Sequence, residues 1–72
     1  MTDERFIAVD GQRLRRLRRE KALSQLDLVG MTGIAQATLS DLERGKRGAR
    51  VSTLRKLAEA LGVEPKELMK DE

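Results

Sequence analysis

The stretch Ser24-Gln25-Leu26-Asp27-Leu28-Val29-Gly30-Met31-Thr32-Gly33-Ile34-Ala35-Gln36-Ala37-Thr38-Leu39-Ser40-Asp41-Leu42-Glu43-Arg44 decides the fold. It carries two short helical patterns with a glycine between them. Ser24 is a good N-cap, and a helix over about 25–32 turns Leu28 and Val29 inward. Gly33 suits the left-handed backbone of a tight turn after a helix. A second helix over about 36–44 sets Ala35, Leu39 and Leu42 on one side, and Gly45 stops it. Leu28, Ile34, Leu39 and Leu42 then form one apolar wedge, which predicts two helices held nearly perpendicular. The outer face of the second helix projects from the body. There Ala37, Ser40, Asp41 and Arg44 fall within an arc of about 100°, with Gln36 at the exposed first turn.

Outward from this pair the periodicity stays helical. Asp10 is placed to cap a helix over about 11–22, with Leu14 and Leu17 inward and arginines around the rest. Downstream, Gly45-Lys46-Arg47-Gly48-Ala49-Arg50 reads as a basic loop. A helix over about 51–61 follows, with Leu54, Leu57, Ala58 and Leu61 at i, i+3, i+4 and i+7, and Gly62 ends it. Pro65 fits the first position of a last helical turn through Leu68 and Met69. No alternating strand pattern of useful length is present. The expectation is an all-α, compact five-helix domain over 11–70 behind an N-terminal extension, 1–10. In that extension Phe6, Ile7 and Val9 are expected to pack on the core or fray rather than to act as a minor-groove arm.

Composition narrows the function classes. The 72 residues include no Cys, His, Trp or Tyr, so disulfides are impossible and the usual zinc, haem and iron–sulfur ligands are missing. Imidazole and thiol catalysts are missing with them, and Glu20, Asp27 and Asp41 have no nucleophile or cofactor to work with. Neither a metal, a cofactor nor an enzymatic role is expected. The apolar run Phe6-Ile7-Ala8-Val9 is far short of the roughly 20 residues that span a bilayer. Met1-Thr2-Asp3-Glu4 is acidic where a signal peptide is basic. A cytoplasmic protein without membrane contact is the expectation.

Charge is segregated. The net charge of +3 comes from 15 basic and 12 acidic residues. Residues 13–21 alone sum to +5 and residues 44–56 to +6, while every other segment is net negative. Two basic blocks around a projecting helix point to a polyanion touched at two places. Two helices joined by a short glycine turn make a helix-turn-helix, whose second helix fits the major groove of B-DNA. Glutamine there can bond adenine N6 and N7 together. Asp41 has two readings, an acceptor for cytosine N4 or a solvated or arginine-paired carboxylate.

The segments Leu14-Arg15-Arg16-Leu17-Arg18, Leu23-Ser24-Gln25, Thr32-Gly33-Ile34, Thr38-Leu39-Ser40, Leu42-Glu43-Arg44-Gly45-Lys46-Arg47 and Leu57-Ala58-Glu59-Ala60-Leu61-Gly62-Val63 carry a resemblance in their order and spacing. Over about 11–69 the chain resembles the Cro/C1-type (XRE) helix-turn-helix DNA-binding domain. That resemblance implies a lambda-repressor-like fold with the third helix as recognition helix. It makes Gln36 the leading base reader, with Ala37 and Ser40 base-facing and Asp41 beside them. Gln25 is implied to bind phosphate at a helix N-terminus and to brace Gln36. Arg44 and Lys46 are implied to touch backbone phosphate, and Ser24, Thr38, Arg47 and Arg50 complete the expected backbone set. Arg18 and Glu43 match an internal ion pair. Leu61, Val63, Leu68 and Met69 form an apolar strip at the end where family dimers join.

The function so implied is a sequence-specific regulator of transcription that binds double-stranded DNA, a homodimeric repressor reading a palindromic operator. The alternative is an antitoxin or a protein-interaction module of a toxin–antitoxin or restriction–modification controller system. The length leaves no room for a sensor domain, so control by dimer concentration and operator occupancy is expected.

Overall fold

The computed structural model describes residues 5–70. The side chains that start and stop its helices act as their types demand. Asp10 accepts from the Arg13 amide at 3.1 Å and opens α1 (Gly11–Glu20). Ser24 Oγ accepts from the Asp27 amide at 2.9 Å to open α2 (Gln25–Thr32). Asp27 returns the bond, accepting from the Ser24 amide at 2.8 Å, so two otherwise unpaired donors are satisfied reciprocally. Gly33 at φ 75° turns the chain into α3 (Gln36–Glu43), and Gly62 at φ 69° ends α4 (Val51–Leu61).

Two expectations are corrected here. The described residues hold four α-helices, not five, because Pro65–Leu68 is a single 3-10 turn. Glu64 and Glu67 close that turn by a reciprocal pair of hydrogen bonds, and Met69 is already extended at ψ 139°. The all-helical reading also gives way to a small strand pair. β1 (Phe6–Ile7) runs antiparallel to β2 (Ala49–Arg50), with Phe6 opposite Arg50 and Ile7 opposite Ala49. Gly48 permits the approach: a Cβ there would stand 2.6 Å from the Ile7 carbonyl oxygen.

The same N-terminal segment is tied on its other side. Val9 bridges to Met69, the Asp10 amide donates to the Leu68 carbonyl at 2.8 Å, and the Lys70 amide donates to Ala8 at 3.0 Å. Val9 is 5% exposed and part of the core, so this residue of the N-terminal extension packs on the core as expected.

Seven leucines, at 14, 28, 39, 42, 57, 61 and 68, are fully buried. Each contributes on the order of 1.5–3 kcal/mol by leaving water. They join α1, α2, α3, α4 and the 3-10 turn into one core, with Leu17, Val29 and Ile34 half-buried against it. Ala35, expected on the inner side, is exposed, since it is the N-cap and precedes the helix proper. Leu61 and Leu68, expected in a dimer interface, lie wholly inside the protomer because α4 and the 3-10 turn pack on each other. Val63 keeps part of its surface and Met69 is 40% exposed. Among the described residues no helix is long and apolar enough to cross a membrane.

Candidate nucleic-acid interface

The core fixes which side of α3 faces outward. Leu39 and Leu42 are fully buried, so the helical period turns Gln36 and Ala37 into solvent, with Ser40 and Asp41 half-exposed and Arg44 exposed at the C-cap. The five residues expected on one polar face are therefore gathered there. The N-terminus of α3 is open as well. Ala35 offers no side-chain cap, so the first amides of the helix stay available to an acceptor from outside. Thr38, in the first turn, is half-buried.

The other end of α3 is locked. A Cβ on Gly11 would overlap the carbonyl oxygens of Leu42 and Glu43, so the start of α1 presses directly on the end of α3. Arg18 of α1, 8% exposed, donates from Nε to Glu43 Oε2 at 2.6 Å and from Nη2 to Oε1 at 3.0 Å. Its Nη1 donates to the Leu23 carbonyl at 2.8 Å, just ahead of α2. Gln25 Nε2 adds a bond to Glu43 Oε1 at 3.2 Å. One carboxylate thus joins α1, α2 and α3, and the expected internal pair is present. The expected brace from Gln25 to Gln36 is corrected: the Gln25 amide is held by Glu43 at the opposite end of α3.

The electrostatics follow. Burial pushes the Glu43 carboxyl up, but hydrogen bonds from Arg18 and Gln25, with the positive charge of Arg18 and Arg15, outweigh it and leave it below its usual value. The bond to Glu43 holds the Arg18 guanidinium above its ordinary value against the opposing effect of burial. Hydrogen bonds from Ser24, backbone first and then hydroxyl, lower the Asp27 carboxyl.

The backbone-contacting candidates surround the open face unevenly. Ser24 and Gln25 lie at the N-terminus of α2, the first with its hydroxyl engaged in the cap and the second half-buried. Arg44, Lys46, Arg47 and Arg50 are exposed beyond the C-terminus of α3. Gly45 at φ 74° starts that loop, and the Lys46 amide donates back to Asp41 at 2.9 Å. Phe6, expected to pack on the core or fray, is instead exposed, with its ring centre 5.9 Å from the guanidinium carbon of Arg47 and 5.6 Å from that of Arg50. Only the pairing of β1 with β2 brings these residues together, and strands of two residues leave no periodic signal.

A family model described as a helix-turn-helix domain matches residues 11–72. An HTH-type transcriptional regulator of Sinorhizobium fredii, y4dJ, is 49% identical over 59 residues, covering 82% of this chain and 77% of the relative. The chain belongs to the Cro/C1-type (XRE) helix-turn-helix family.

Among solved structures, this Cro/C1-type chain is similar to the restriction-modification controller protein C.AhdI of Aeromonas hydrophila. The two are 44% identical with a TM-score of 0.77, covering 82% of this chain and 89% of that one. It is also similar to SinR of Bacillus subtilis in complex with DNA, at 32% identity and a TM-score of 0.74, covering 78% and 90%. Some curated relatives are longer: the chain spans 43% of RghRB of Bacillus subtilis, to which it is 45% identical over 60 residues. Within the Cro/C1-type frame α2 and α3 are the helix-turn-helix.

Proposed function

We propose that the chain is a sequence-specific, double-stranded-DNA-binding regulator of transcription in the cytoplasm, acting as a homodimeric repressor with α3 in the major groove of a palindromic operator. The observation that carries this reading is the two-sided character of α3. Leu39 and Leu42 are fully buried while Gln36, Ala37 and Arg44 stand in solvent. Gln36 is assigned to base edges, with Ala37, Ser40 and Asp41 beside it. Ser24, Gln25, Thr38, Arg44, Lys46, Arg47 and Arg50 are assigned to phosphates.

One short helix reads few base pairs, and two protomers spaced one helical turn apart supply useful specificity. With Leu61 and Leu68 inside the protomer, Val63 and Met69 remain as the apolar surface for that pairing. Similarity to C.AhdI supports a restriction–modification controller as one setting for the same DNA-binding act. No catalytic role is proposed.

Selection from a random duplex pool tests the reading. The expected product is a palindrome with half-site centres about 10 base pairs apart. Gln36→Ala should relax preference at one position per half-site, and Arg44→Ala should weaken all duplexes about equally and lower the salt slope by about 1. A consensus unchanged by Gln36→Ala overturns the base-reading assignment. A persistent monomer by sedimentation, free and on DNA, overturns the dimer.

A further inference from the structure

Of the two basic blocks in the sequence, the reading of α3 absorbs only the second. The first lies in α1, which holds five arginines and no lysine. Two of them are engaged inside the protein, Arg18 with Glu43 and Arg13 with Glu67 at 3.4 Å. Arg15, Arg16 and Arg19 are exposed, and among the described residues no side-chain hydrogen bond or ion pair holds them. With Gln12 they stand at i, i+3, i+4 and i+7, a single stripe along the helix. These four residues and Glu20 line a shallow recess of roughly 380 Å³. Like charges three and four residues apart weaken a helix, so the stripe opposes the element that carries it. At 3.6 residues per turn, Arg16 lies about 160° round the helix from Leu14 and Arg19 about 140°. Leu14 is fully buried, so both arginines face away from the core. Arg16 is also about 140° from Gly11, the residue that backs onto the end of α3.

We infer that this stripe is a docking surface for a partner protein, which lays an acidic helix along α1 with its carboxylates on Arg16, Arg19 and Arg15. The guanidinium fork takes a carboxylate in bidentate fashion, which an ammonium does not. Acids spaced three and four residues apart on the partner helix match the spacing of the arginines. Glu20 decides the class of partner. A nucleic-acid strand brings phosphate after phosphate and meets that carboxylate unfavourably, whereas a protein helix can set a lysine or an amide against it. Since Arg16 and Arg19 are turned from the end of α3, duplex and partner bind the chain together.

The probe is a labelled alanine-based peptide of about 16 residues, long enough to form a helix alone, with glutamates at i, i+3, i+4 and i+7. A control peptide of equal composition spreads the glutamates around the helix. Anisotropy is read with the full chain, free and saturated with duplex. The striped peptide should bind about ten-fold tighter than the control in both states. Arg16→Ala with Arg19→Ala should remove that preference, about ten-fold for two exposed pairs, and leave duplex affinity unchanged. Lysine at both positions keeps the charge without the fork and should restore only part of it. Alanine is the best helix former and both positions are exposed, so the double variant should keep its urea midpoint. If it does not fold, glutamine at both positions carries the same comparison. Equal binding of the two peptides, binding abolished by duplex, or binding indifferent to both substitutions overturns the inference. So does a second, random duplex that joins the saturated complex through Arg16 and Arg19 while the peptide does not. A chain that binds no duplex overturns the proposed function, and the free-chain titration then judges the stripe alone.

Discussion

The two ends of α3 are built on opposite principles. At its C-terminus the helix is tied into the protein: Glu43 takes bonds from Arg18 and Gln25, and Gly11 backs onto the last carbonyls. At its N-terminus Ala35 caps nothing and Gln36 and Ala37 stand in water. A buried charged network fixes where the helix points, and an unsatisfied tip is what it presents. A locked end and an open one are thereby separated along eight residues, the length of α3.

The comparison breaks most visibly if the locked end is cut. Glu43→Ala strands the buried Arg18 charge and should cost about 3–5 kcal/mol in urea denaturation. Arg18→Met with Glu43→Leu should cost clearly less than either single change, since no unpaired ion remains. A double variant as unstable as the sum of the singles would show that the pair contributes no coupling.

The same lock makes stability depend on pH. Because the Glu43 carboxyl lies below its usual value in the folded chain, its contribution is complete above about pH 4.3, the ordinary glutamate value. It fades as pH falls through the folded value. Asp27, lowered by Ser24, has the same sign. Glu43→Gln should remove part of the acid-limb slope of unfolding free energy against pH, and an unchanged slope would place the acid sensitivity elsewhere.

The open end should respond the other way. Ala35→Ser supplies the missing cap and should raise stability by about 1 kcal/mol. The serine hydroxyl then occupies an amide left for an outside acceptor, so duplex affinity should not rise with stability. A variant that gains both would mean that the amides of α3 take no part in binding.

Much of this architecture was legible because it is written in local chemistry. Asp10, Ser24, Gly33 and Gly62 act at the positions that their types require, and Leu54, Leu57, Ala58 and Leu61 mark one face by spacing alone. What escaped depends on residues distant in sequence. Gln25 meets Glu43 across 18 positions, and local spacing cannot say whether an amide braces Gln36 or the far end of the helix. Phe6 and Arg50 become neighbours only through a two-residue pairing. Leu61 and Leu68 show the limit of apolar character. A leucine near a chain end reads alike as core or as partner surface, and only the packing of the 3-10 turn on α4 decides for the core.

The stitching of residues 8–10 to residues 68–70 has a mechanical consequence. The rungs run in order from Ala8–Lys70 through Val9–Met69 to Asp10–Leu68, so tension applied at the two termini would meet them one after another, as in unzipping, rather than all together in shear. Lys70 should exchange its amide hydrogen sooner than Asp10, and a tethered load would peel the terminal rungs apart before it reached the leucines beneath.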